Sequence, residues 1–163
     1  MKFETRHHFA FPPERVWGVF FDPTYEAALS ASSELDREVL ETGVREGRRF
    51  RRSKLTSRKE IPPAMAAFTG PRLSYELLEV YDDPHTRLSW KVIPGAAADK
   101  VKAEGTWALV PAPGGCERVV KGEVQVRVPL VGGKIEEKIK EQLQASYDKA
   151  AVFARQWMAT HLS

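Results

Sequence analysis

The sequence predicts an α+β domain: a curved antiparallel sheet of about seven strands, two short helices after the first strand, and a long C-terminal helix lying along one sheet face. Three observations carry that expectation. The opening residues alternate with period two and run into a proline-led helical phrase. The stretch from Leu35 to Val128 divides into six alternating segments separated by turn signals, and the residues after Lys134 repeat at threes and fours. With 163 residues, the chain suits a single domain spanning 1–163, large enough to bury roughly two-thirds of its unfolded surface.

In the first eleven residues Phe3, Thr5, His7, Phe9 and Phe11 share one face, with Glu4, Arg6, His8 and Ala10 on the other. That is the pattern of a half-buried strand. Pro12-Pro13-Glu14 stops the strand and suits a helix start, because proline is tolerated in the first turn and an acid favours the positive end of the helix. Val16, Trp17, Val19, Phe20 and Phe21 follow at helical spacing, Asp22-Pro23 breaks the helix, and a second short helix is expected from Thr24 to about Ser30.

Strands are then expected near 35–45, 48–57, 72–81, 86–93, 101–111 and 117–128. Gly47, Asp82-Asp83-Pro84, Gly95 and Pro113-Gly114-Gly115 punctuate them with residues suited to turns. Short connections imply antiparallel neighbours. Apolar sets such as Leu88, Trp90 and Val92, or Val120, Val124, Val126 and Val128, imply one covered face and one wet face. From Lys134 to about Leu162, Ile135, Ile139, Leu143, Ala150, Phe153, Ala154, Trp157 and Met158 form the stripe of an amphipathic helix. At about 1.5 Å per residue it would run about 40 Å, too long to be enclosed by a domain of this size, so it must lie along the sheet.

This order resembles the helix-grip fold of the START-like (SRPBCC) superfamily over the whole chain. The phrase "FAFPPERVWGVFFDP" is similar to that superfamily's strand-to-helix opening, "GTWALVPAPGGCERVV" to its last hairpin, and "VPLVGGKIEEKI" to the approach to its final helix. A bacterial branch of unknown function is the nearer match. A weaker likeness, to PRELI-type phospholipid-transfer proteins, rests on Pro62-Pro63, Gly70, Tyr75, Glu76, Asp83 and Pro84. The resemblance implies a space between sheet and final helix that holds a lipid or another hydrophobic molecule. Phe50, Tyr75, Trp90, Trp107, Tyr147, Phe153 and Trp157 would line it, or would simply fill a core. The apolar connection Ile61–Gly70, with Met65 and Phe68, would act as a lid over its mouth, as the corresponding loop does in the PRELI-type proteins, or would plug the end of the sheet.

Charge patterning adds one local feature. The formal net charge is +3, but Arg45, Arg48, Arg49, Arg51, Arg52, Lys54, Arg58 and Lys59 stand against Glu46 alone. Residues 44–59 carry +7 and the rest of the chain −4. In the strand at 48–57, Arg48, Phe50, Arg52 and Lys54 share one face, while Arg49, Arg51, Ser53 and Leu55 share the other. If Phe50 points inward, Arg52 enters the covered region and needs an anion, from the protein or from a ligand. If the strand lies at an edge, the charges guard it against pairing with other chains. A transient contact with an anionic membrane surface is a further reading of the stripe, whereas nothing resembling an RNA-binding phrase accompanies it.

Enzyme chemistry finds little support. His7 and His8 point to opposite faces of one strand, no metal-ligand spacing occurs, and Cys116 has no base near it in sequence. No nucleophile elbow, P-loop or dinucleotide fingerprint is present. No catalytic residue, metal or cofactor is assigned. His7, on a face otherwise made of Phe3, Phe9 and Phe11, is expected as a hydrogen-bonded core residue. One cysteine excludes an internal disulfide, the absence of Asn excludes N-glycosylation, and no apolar run spans a bilayer. The charged N-terminal residues do not suit a signal peptide. The expectation is therefore a cytoplasmic domain binding a hydrophobic small molecule or lipid, anionic in one version, with one or two arginines on the polar end. A polyketide-cyclase-like enzyme and a filled-core adaptor, like the activators of heat-shock chaperones, are the alternatives.

Overall fold

The computed structural model describes residues 1–60, 63, 72–83, 86–94 and 99–162. The chain forms β1 (Lys2–Phe9), α1 (Pro13–Phe20), α2 (Pro23–Ser33), β2 (Leu35–Arg45), β3 (Arg48–Glu60), β4 (Arg72–Asp83), β5 (Arg87–Pro94), β6 (Val101–Ala112), β7 (Gly115–Val126) and α3 (Gly132–His161). All seven strands join one antiparallel sheet in the order β1-β7-β6-β5-β4-β3-β2. From β2 onward each strand pairs with the next in sequence. The two short helices carry the chain from β1, at one edge, to β2, at the other. The curved sheet with its long C-terminal helix is consistent with a helix-grip arrangement.

Element types match the expectation, and the boundaries move for identifiable reasons. The Asp22 side chain accepts from the Thr24 N–H at 2.7 Å and caps α2. That helix continues three residues past the expected Ser30, ending where Glu34 turns left-handed at φ 56°. The last hairpin closes on two residues, Pro113 and Gly114, because Gly114 takes φ +77° and lets Ala112 pair with Gly115. β7 accordingly starts two residues before the expected Glu117. β3, expected as a candidate edge, lies between β2 and β4, and β2 is the edge.

One sheet face carries the core. Phe3, Thr5, His7 and Phe9 on β1 pair with Gly122, Val120, Arg118 and Cys116 on β7. Ala103, Gly105, Trp107 and Leu109 continue that face on β6, followed by Leu88, Trp90 and Val92 on β5. Helix α1 presses Trp17 and Phe20 onto Trp107, each with ring centroids 5.6 Å away, and Phe20 meets Phe9 at 5.4 Å. Tyr25 of α2 packs edge-on against Phe20 and Trp157 and tilted against Phe153. Such aromatic pairs add to the area they bury.

Gly122 makes room at the centre of this face. A Cβ there would stand 2.6 Å from both the Phe3 and Trp90 rings, which lie over it 6.1 Å apart. Gly122→Ala is expected to overpack the site and destabilise the domain by about 1–3 kcal/mol, read as a lowered denaturant midpoint with unchanged slope.

Candidate functional site

The apolar stripe of α3 is not buried evenly. Ala151, Ala154 and Met158, toward its C-terminal end, are 0–2% exposed. Ile135, Ile139, Leu143 and Tyr147, earlier along the same stripe, are only half-buried. The elements α3 rests against are β7, β1 and α2. On the sheet side, Leu77 and Tyr81 of β4 and Val92 of β5 face inward and are also half-buried. Apolar surface therefore stays partly uncovered on the first two-thirds of the helix and on the inner face of β4 and β5.

The floor of that inner face is polar. On β3 the inward residues are Arg49, Arg51, Ser53 and Leu55, as the contacts of Arg51 show. It donates to Glu26 of α2 at 2.9 Å and to Glu79 of β4 at 2.9 and 3.1 Å, and its guanidinium lies 5.5 Å above the Phe21 ring. Arg37 of β2 donates to the same Glu79 oxygen at 3.2 Å and to Ser53 at 3.1 Å. Burial works against the Arg51 charge, but Glu79, Tyr81 and Glu26 outweigh it and leave its pKa raised. One carboxylate, 9% exposed, thus holds two arginines.

Phe50 and Arg52 lie on the opposite, outer face, so Arg52 does not enter the covered region. It pairs with Glu76 at 2.9 Å and Glu41 at 3.5 Å. Phe50 is nonetheless 6% exposed, because Gly43 leaves room above it and the Arg45 guanidinium stacks on it at 4.4 Å. Most of the rest of the stripe is answered by the protein itself, and Lys54 is exposed. Arg48 meets Asp82, Arg49 lies over Tyr81, Arg58 reaches Asp36 and the Ser30 carbonyl, and Lys59 reaches Glu34.

A second polar group lies where α3 meets the sheet. His7, its side chain 10% exposed, bridges Asp148 Oδ1 at 2.7 Å through Nε2 and Arg118 at 3.2 Å through Nδ1. A guanidinium only donates, so Nδ1 accepts and the proton sits on Nε2, which donates to Asp148. Arg118 also donates to the Tyr147 carbonyl of α3 at 3.1 Å, and it stacks over the rings of Phe9, Phe20 and Tyr147 at 5.2–5.5 Å. Arg118 is 3% exposed, and burial lowers its pKa. Burial likewise pushes the Tyr25 and Tyr147 phenols up to about 12.

Among the residues expected to line a ligand space, Tyr75 and Tyr147 are both half-buried. The Tyr147 phenol is influenced by Tyr75, Glu79 and Arg37 as well as by Arg118, and burial raises both phenols. Trp90 and Trp107 sit in the packed core, while Phe153 and Trp157 stack on each other beside Tyr25. Phe68 and the expected lid Ile61–Gly70, Pro63 apart, lie outside the described residues. Arg37, Arg51, Glu79, Arg118 and Tyr25 are not among the site residues that the sequence alone picks out. The inward parity of Arg51 is readable from the alternation of β3. The pairing of Arg37 and Glu79 across two strands is not, because it depends on register. Cys116 is fully buried, and its thiol is pushed up to about 11 by burial and by Glu14. Among the described residues no group of three or more His, Cys, Asp or Glu could hold a metal ion, and no helix is long and apolar enough to cross a membrane.

A family model described as "Protein of unknown function (DUF2505)" matches residues 4–158. Among solved structures, TTHA0849 from Thermus thermophilus is 21% identical at a TM-score of 0.69, with all of both chains covered. CV1439 from Chromobacterium violaceum is 19% identical at 0.59, over 94% of this chain and 96% of that one. Ms6760 from Mycobacterium smegmatis is 12% identical at 0.63, over 96% and 90%. At such identities the likeness concerns the fold alone. No curated protein is significantly similar to the chain in sequence.

Two measurements check the electrostatics of the site. Glu79→Ala leaves Arg37 and Arg51 without their shared carboxylate and is expected to cost about 3 kcal/mol or more, whereas Arg52→Ala on the outer face costs less than about 1 kcal/mol; chemical denaturation compares them directly. Cys116, with little thiolate at pH 8 and no exposed surface, is expected to react with a thiol reagent only as fast as the protein unfolds.

Proposed function

The chain belongs to the family of proteins of unknown function DUF2505, and on that premise we propose that it binds a hydrophobic small molecule or lipid between its sheet and α3, without converting it chemically. The wider group to which we assign the family is the START-like (SRPBCC) superfamily, on the sequence phrases and element order described above. The observation that carries the reading is the pair of half-covered apolar walls: Ile135, Ile139 and Leu143 on α3, and Leu77, Tyr81 and Val92 on β4 and β5. Apolar surface left half-wet on the helix and on the strands gains about 25 cal/mol for each Å² that a ligand removes from water. The polar floor around Glu79 would orient such a ligand, since binding sites combine apolar walls with a few placed polar groups.

A binding role fits the polar chemistry better than catalysis does. Both ring nitrogens of His7 are engaged, one by Arg118 and one by Asp148, so neither is free to take a substrate proton. The Cys116 thiol is held neutral by burial. Glu79 is committed to two guanidinium groups.

The proposal is tested by native mass spectrometry of the purified protein, followed by titration with fluorescent fatty acids and phospholipids. A co-purified apolar ligand or saturable binding is expected, weakened about tenfold or more by Ile139→Glu, which puts a charge into the apolar wall. A protein that arrives empty and ignores the whole panel would overturn it.

A further inference from the structure

We propose that Arg118, Tyr25 and Thr5 form the seat of a single carboxylate, the polar end of the hydrophobic ligand assigned above to the space beside α3; the inference rests on that reading and adds its chemistry. The basic segment at 45–59, the first place to look for a buried anion site, supplies none: its inward Arg51 is matched by Glu26 and Glu79, and its inward Arg49 is exposed. Arg37, on the neighbouring strand, is matched by Glu79 as well.

Arg118 differs from both. No carboxylate among the described residues stands in ion-pair contact with it, although it is 3% exposed. Its terminal nitrogen donates to two neutral acceptors, His7 Nδ1 and the Tyr147 carbonyl, while its Nε is buried without an acceptor. Ring faces above and below soften the burial of a cation but do not neutralise it.

Two further orphaned groups lie in the same quarter of the fold. The Tyr25 hydroxyl and Thr5 Oγ1 are buried with no hydrogen-bond partner. The Tyr25 ring packs on Phe20 at 5.6 Å, and the Arg118 guanidinium lies 5.5 Å from that same Phe20 ring. Thr5 is one inward-facing pair along β1 from His7, the partner of Arg118 across the β1–β7 ladder. Native proteins rarely leave three buried polar atoms unanswered in one region. A buried water would satisfy the hydroxyls, but it would leave the charge unopposed. A carboxylate supplies both the charge and the acceptor lone pairs.

The charge count favours a monoanion. Besides Arg118 itself, the charged groups nearby are Asp148 beyond His7, Glu26 near Tyr25 and Arg155, whose guanidinium stacks on Phe9 from α3. Arg118 offers one buried positive charge, which a single negative charge answers and a dianion exceeds, with Asp148 and Glu26 adding repulsion from farther off. The Tyr147 ring lies 5.2 Å from the Arg118 guanidinium, and one helical turn earlier on α3 comes Leu143. An acid headed at Arg118 would run its apolar chain past Tyr147 toward Leu143 and Ile139.

The test is calorimetric titration of the full chain with dodecanoate, dodecanol and dodecyl phosphate, in the wild type and in Arg118→Met and Tyr25→Phe. The wild type is expected to prefer dodecanoate over dodecanol by about tenfold or more and over dodecyl phosphate as well. Arg118→Met should abolish the preference. Tyr25→Phe, which removes an unpartnered hydroxyl, should keep or raise the thermal midpoint while narrowing the preference severalfold, and it decides the matter if Arg118→Met fails to fold. Equal affinity for acid and alcohol, stronger binding of the phosphate, or a preference that survives Arg118→Met overturns the seat and leaves the binding reading standing. Binding of none of the three overturns the binding reading itself, and the seat with it.

Discussion

The fastening of α3 to the β1–β7 side of the sheet governs most of what this domain can do. Small residues bring the helix in close there: Ala151 and Ala154 are fully buried and Met158 nearly so. Two polar links add direction to that contact, Asp148 to His7 on β1 and the Tyr147 carbonyl to Arg118 on β7. The helix has 30 residues and is about 45 Å long at about 1.5 Å per residue. Its first turn is fixed as well: Glu136 accepts from the Val126 N–H at the end of β7 at 2.9 Å and lies 3.8 Å from the Met1 amino group. Between these attachments Ile139 and Leu143 are half-buried, as are Ile135 and Tyr147 beside them.

The same geometry accounts for the polar floor. On β1, β7 and β6 the inner face lies under α1, α2 and the fastened end of α3, and its residues are apolar apart from Thr5, His7 and Arg118. On β2, β3 and β4, away from α3, the inner face carries Arg37, Arg51, Ser53 and Glu79. Glu79 makes this arrangement tolerable, because it accepts from both arginines while Glu26 answers Arg51 from α2. That last contact also ties α2 to the sheet. The charges of Glu79 and Arg37 also act on the Tyr147 phenol of α3, which burial raises to about 12.

How much of this the sequence discloses depends on the range of the interaction. Periodicity and turn residues are local, so Phe3–Phe11, the Pro113-Gly114 turn and the stripe of α3 are legible, and every strand falls within a few residues of its expected place. Face assignment on β3 is legible as two alternating sets, Arg48-Phe50-Arg52 and Arg49-Arg51-Ser53. Choosing which set faces inward needs tertiary information, since a buried aromatic normally marks the inner side. Phe50 breaks that rule because Gly43 and Arg45 cover it from the outside. Glu79 and Arg118 cannot be found from spacing, because their partners lie on other strands and helices. Their importance comes from what surrounds them after folding.

The central claim is that α3 is fastened at its first turn and from Tyr147 onward and is only half-covered between, where a ligand is proposed to bind. Residue-resolved amide hydrogen exchange on the ligand-free protein tests this most directly, because opening energies follow local burial and packing. The account predicts that amides between Ile139 and Tyr147 exchange much faster than those between Ala151 and Met158, and that an added apolar ligand slows the first group selectively. Uniform protection along the helix, unchanged by any apolar ligand, would contradict it.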